Sequence, residues 1–107
     1  MPKYLIQANF HFGEGAEGLL RDGGTSRRAA VEQLWQSLGG RVEAFYFAFG
    51  ETDVFIIGEL PDNVSAAAGT LNVIASGLIT AKTTVLLTPE EIDQAVKKSV
   101  SYRPPGQ

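Results

Sequence analysis

Cysteine is absent from the chain, which removes disulfides, thiol catalysis and thiolate metal ligation together. There is no basic surplus: the net charge is −3, and no stripe of Lys and Arg offers phosphate neutralisation, so nucleic acid is not an expected partner. The only adjacent basic pairs, Arg27-Arg28 and Lys97-Lys98, are expected on solvated helix faces. No apolar run approaches a membrane span, and MPKYLIQANF has one lysine and too short an apolar segment for a signal peptide. A cytoplasmic protein without a membrane partner is the expectation. Histidine occurs once, and one imidazole without a carboxylate cluster at ligand spacing makes no first metal shell. The glycine clusters GEGAEG and DGG are not followed by Gly-Lys-Ser/Thr and lack dinucleotide spacing. No metal and no cofactor is expected. Ser65, Ser76 and Ser99 lack the strand, elbow and helix of a hydrolase nucleophile.

What is present is ordinary for one globular domain, residues 1–107, with an extended tail over 100–107. Residues 3–11 alternate, with Tyr4, Ile6, Ala8 and Phe10 on one parity and Leu5, Gln7, Asn9 and His11 on the other, which predicts a strand. A helical region follows, broken near Gly23-Gly24, its second part capped by Thr25 or Ser26. It carries Ala30, Val31, Leu34, Trp35 and Leu38 at helical spacing and is stopped by Gly39-Gly40. Strands are predicted at Arg41 to Phe49 and Thr52 to Leu60, joined by a turn at GETD; Pro61 ends the second. Asp62 or Asn63 caps VSAAAGTLNVIASG, a strand runs from Leu78 to Leu87, and TPEE forms a capping box for a last helix reaching about Val100. SYRPPGQ cannot be helical across its two prolines.

The order strand, helix, strand, strand, helix, strand, plus a terminal helix, predicts an α+β fold. It is the ferredoxin-like βαββαβ arrangement, with helices on one face of a four-stranded antiparallel sheet. Parity assigns Ile6, Ala8, Val54, Ile56, Val85 and Leu87 to the helix side. The other face then receives Gln7, Asn9, His11, Phe45, Phe47, Phe49, Asp53, Phe55, Ile57, Lys82, Thr84 and Leu86. Four phenylalanine rings on an open face form a patch that monomers avoid, so a second copy is expected to cover it.

The segments MPKYLIQA, LLRDGG…RRAAVE, LGGRVEAFYFAFGETDV, LPDNVSAAA and KTTVLLTPEEIDQAVKKSVSYRPPG resemble the GYD-domain family, small bacterial proteins of the dimeric α+β-barrel type without an agreed activity. The resemblance implies a homodimer or higher oligomer whose sheet faces pair as a dimeric α+β barrel. At the naming motif Gly50 and Asp53 enclose Glu51-Thr52, so only a glycine and an aspartate carry over, by position in the turn.

On the inward face, His11 reads either as a general base oriented by Asp53 or as an exposed strand-end residue. Asp53 reads either as its partner or as a turn aspartate accepting backbone N–H groups. Lys82 is either an anion ligand or a guard against edge pairing. Gln7, Asn9, Phe47 and Phe55 complete a pocket suited to a small aromatic or anionic compound. The expected function is thus a homo-oligomeric small-molecule-binding protein or cofactor-free enzyme, with a non-catalytic oligomerisation or interaction module as the alternative.

Overall fold

The computed structural model describes residues 1–11 and 13–107. Its elements are β1 (Lys3–Phe10), α1 (Glu14–Asp22), α2 (Gly24–Ser37), β2 (Arg41–Phe47), β3 (Val54–Glu59), α3 (Asn63–Ala75), β4 (Ile79–Leu86) and α4 (Pro89–Val96). The fold is α+β: one open antiparallel sheet in the order β2-β3-β1-β4, with α2 lying against β2 and α3 against β4.

Local chemistry sets most of the boundaries. Gly23 ends α1 and begins α2 at a φ of 82°, a left-handed backbone that a side chain would strain. The expected hydroxyl cap from Thr25 or Ser26 is not made: both fall inside α2, whose first turn has no side-chain cap. Asp62 caps α3 by accepting the Ser65 N–H at 2.8 Å, which holds its carboxyl below the usual range. Thr88 and Glu91 form the expected capping box, but α4 stops at Val96 rather than near Val100.

The core is built from β1, β3 and one side of α2 and α3. Tyr4 is 1% exposed and donates its hydroxyl to Asn63 Oδ1 at 2.6 Å. Burial, then the nearby Asp62 charge, pushes its phenol pKa up. Trp35, 4% exposed, lies over Gly58, where an added Cβ would meet the indole at 2.6 Å and the Arg41 carbonyl at 2.4 Å. Strand β3 thus carries no side chain where α2 sets its largest ring.

One register feature departs from simple alternation. Arg41 and Val42 oppose Glu59 and Gly58, whereas Ala44 opposes Ile57 and Phe45 opposes Ile56, so the ladder shifts between Val42 and Ala44. The extra residue is Glu43, a β-bulge. Because side chains alternate with period two, one extra residue exchanges the faces of everything after it. Phe45 and Phe47 therefore pack against the core on the helix side, their rings edge to face at 5.2 Å and 71°. This corrects the sequence expectation that both lie on the open face. Phe49 lies beyond β2 and is exposed.

Two glycine substitutions test this packing in opposite directions. Gly58→Ala is expected to lower the free energy of unfolding by about 1–3 kcal/mol through overpacking on Trp35. Gly18→Ala, inside α1 with only the Arg21 side chain near its new Cβ, is expected to raise it by about 0.5–1 kcal/mol. Urea titrations of both variants measure the two effects.

Candidate functional site

The sheet face opposite α2 and α3 is organised in rows by strand register. Arg41, Glu59, Lys3 and Leu86 form the first, followed by Ala44, Ile57, Leu5 and Thr84. Next come Tyr46, Phe55, Gln7 and Lys82, and the last row includes Asn9 and Thr80. One end of the face is charged, the middle is apolar and the far end is polar.

At the charged end Glu59 accepts from Arg41 Nε and Lys3 Nζ, each at 3.2 Å, and Lys3 also donates to Glu43. The Glu59 carboxylate is held below its ordinary range by the Arg41 and Lys3 hydrogen bonds, and Lys3 is raised by Glu43 and then Glu59. The bulged residue is thereby tied to β1.

At the polar end a depression of about 270 Å3 is lined by Gln7, Asn9, Glu51, Thr52, Thr80 and Lys82. Strand pairing accounts for its composition: Gln7 stands opposite Lys82 and Asn9 opposite Thr80 across the β1–β4 ladder. The Gln7 amide reaches Thr52 Oγ1 at 3.5 Å. Three of the expected site residues, Gln7, Asn9 and Lys82, thus meet, and Phe55 flanks Gln7 on β3. Glu51, Thr52 and Thr80 were missed. Thr80 carried a usable signal, since it shares the parity of Lys82 two residues along the same strand.

The other expected site residues lie elsewhere. Phe47 is on the helix side, its ring 3.0 Å from where a Cβ on Gly24 would stand, so it cannot share a pocket with Gln7 and Lys82. Asp53 accepts the Phe10 N–H at 3.0 Å, while its own N–H donates to Asn9 Oδ1 at 2.8 Å and to the Ala8 carbonyl. Asn9 and Asp53 form a reciprocal clamp between the end of β1 and the start of β3. His11 is exposed just past β1, its N–H donating to the Leu78 carbonyl. Among the described residues no hydrogen bond joins it to Asp53. Nor do three or more His, Asp or Glu side chains gather as a metal site among the described residues.

With this face and its pocket in view, the class of the chain is an α+β fold with an open-faced antiparallel sheet, and a model of the GYD domain matches residues 4–96. The chain belongs to the GYD domain family. No curated protein and no solved structure compared with the chain matches it. No helix among the described residues is long and apolar enough to cross a membrane.

The charged end predicts a pH response with a defined sign. A carboxylate whose folded pKa is lowered contributes stability above its unfolded pKa and loses it as the pH falls through the folded value. Glu59→Gln is therefore expected to reduce melting temperature at neutral pH and to leave a shallower loss of stability on acidification below the ordinary carboxylate range. Thermal melts across an acid pH series check this; parallel curves for the variant and the native chain would contradict it.

Proposed function

We propose that this chain is a homo-oligomeric small-molecule-binding protein whose open sheet face pairs with that of a second copy, in the manner of a dimeric α+β barrel. The strand order β2-β3-β1-β4, with helical crossovers from β1 to β2 and from β3 to β4, supports the ferredoxin-like reading of each subunit. The observation that carries the pairing is the apolar middle of the open face. Ala44, Ile57, Leu5, Tyr46 and Phe55 stand together there, while the helices that bury apolar surface do so on the other side.

The C-terminal segment supports the same reading. Every residue from Pro89 to Gln107 is exposed, including Ile92, Val96, Val100 and Tyr102. An eight-residue helix is marginal in water without packing. The radius of gyration is 17.1 Å, against about 13 Å for a compact chain of this length, consistent with a projecting arm. Strand spacing and rise give the sheet face roughly 20 Å by 20–25 Å, or about 400–500 Å2 in projection. A stable interface of ordinary size buries about 800 Å2 on each partner. The arm of each copy, laid on the other, adds to the covered area.

In such a pair the depression at Gln7, Asn9, Thr80 and Lys82 lies at the edge of the covered face. Lys82 provides a cation, Gln7 and Thr80 provide hydrogen-bonding groups, and Phe55 provides a ring beside them; a small aromatic carboxylate matches all three. Binding is favoured over catalysis because Asp53 is committed to a backbone N–H and is not joined to His11. The alternative of a plain interaction module draws on the same commitment of Asn9 and Asp53 to the fold.

Sedimentation at about 10 μM tests the pairing. A dimer or a multiple of it is expected. Ile57→Asp is expected to give monomers, because it places an unpaired charge in the apolar rows, and truncation after Leu87 is expected to weaken association. A monomeric native chain, or an unchanged mass for Ile57→Asp, would remove the proposal. If the pair forms but benzoate-type acids give no Lys82-dependent thermal stabilisation, the interaction module is the better reading.

A further inference from the structure

The adjacent basic pair on α2 does not behave as a solvated pair. Arg28 is exposed and sits 3.7 Å from Glu32, one turn along the helix. Arg27 is half-buried and, among the described residues, has no acidic side chain within ion-pairing distance. It borders a cleft between α2 and α3, on the side of the sheet away from the open face.

The cleft holds about 110 Å3. Four of its lining residues are small: Ala30 on α2, at the exposed rim, Ala66 and Gly69 on α3, and Ala81 on the sheet beneath. Its deeper walls are Ile6, Val31, Leu34, Trp35, Ile56 and Val73. A water needs two to four polar partners. Besides Arg27, the walls offer the hydroxyl of Thr70, which already donates to the Ala66 carbonyl at 2.9 Å and lies 2.8 Å from Thr83 Oγ1. Apolar cavities of about this size take a single ring or a short alkyl chain. Arg27 and Ala30 also border a wider vestibule of about 300 Å3 at Phe10, Leu19, Ser26 and Leu78, so a guanidinium stands where the two depressions adjoin. Arg21 and Asp22, on the vestibule wall, pair with each other at 3.1 Å. Among the described residues, Arg27 is the charge at the threshold that no ion pair engages, and no carboxylate lines the inner cleft.

We propose that this cleft binds a short aliphatic carboxylate, with the alkyl chain between α2 and α3 against Trp35 and the carboxylate on the Arg27 guanidinium. The planar fork of arginine matches a carboxylate with two parallel hydrogen bonds. The site is independent of the open face, since it uses no residue of that face and none of the proposed subunit contacts.

The chain carries one tryptophan, and it lines the cleft, so its fluorescence reports occupancy directly. The test is to titrate the full-length protein with hexanoate and, separately, with 1-hexanol, reading Trp35 emission and melting temperature. Hexanoate is expected to give a saturable change and a raised melting temperature, with 1-hexanol at least about tenfold weaker. Arg27→Gln is expected to reduce hexanoate affinity to that of the alcohol, Arg27→Lys to restore part of it, and Arg28→Gln to leave it as in the native chain. Ala30→Leu, at the threshold, is expected to block both compounds while retaining the fold. No saturable response to hexanoate in the native protein would overturn the proposal. So would unchanged hexanoate affinity in Arg27→Gln, or equal affinity for acid and alcohol in the native chain.

Discussion

The fold turns on one inserted residue, Glu43. With the bulge in place, β2 presents Val42, Phe45 and Phe47 to the helices and Arg41, Ala44 and Tyr46 to the open face. Without it, the same strand would turn Phe45 and Phe47 outward and Tyr46 inward. Phe47 is the ring against which Gly24 at the start of α2 is set, and α2 in turn carries Trp35 onto Gly58. The position of the helix layer therefore follows from the bulge, and the bulge is tied down by Lys3, which bridges Glu43 and Glu59. Exposed ion pairs contribute little to stability. Here the network joins three strands at one end of the open face, with Lys3 on β1 holding both the bulged Glu43 of β2 and Glu59 of β3.

Much of this was legible in the sequence, and the part that was not has a specific cause. Alternation in residues 3–11 placed β1 within one residue of its end, and the TPEE capping box, the Gly23-Gly24 break and the Pro61 stop correspond to real boundaries. These signals are local, written in a few neighbouring residues. The face of Phe45 and Phe47 depends instead on where β2 meets β3. RVEAFYF reads as a clean alternation in either register, and only the partner strand reveals the extra residue. The same limit explains the site. Gln7, Asn9 and Lys82 share a parity on well-registered strands and line one depression. Phe47 was grouped with them through the hidden shift, and Glu51, Thr52 and Thr80 join the pocket only through tertiary geometry. Arg27 and Arg28 are neighbours in sequence, yet helical rotation sends one toward the core and the other to Glu32.

The two sides of the sheet offer different chemistry. The open side is broad, with an apolar middle between charged and polar ends, a composition suited to a large complementary surface. The helix side has a narrow apolar cleft with one cation at its threshold, a composition suited to a small amphiphile. Removing Phe45 and Phe47 from the open face leaves Phe55, Tyr46, Ile57, Leu5 and Ala44 to form its apolar middle. The apolar middle of the open face is therefore less aromatic than the sequence suggested. Helix α4 and the tail add further exposed apolar side chains, Ile92, Val96, Val100 and Tyr102, outside the sheet face.

The central claim is that the bulged register leaves this particular set of side chains for a second copy to cover. Isotope-filtered NOE spectroscopy on a mixture of 13C-labelled and unlabelled chains tests it most directly, since only contacts between different copies give signals. The account predicts intermolecular NOEs from the methyl groups of Leu5 and Ile57 to the rings of Tyr46 and Phe55, and none from the rings of Phe45 or Phe47. Intermolecular contacts from Phe45 and Phe47, or the absence of any from Ile57, would contradict it.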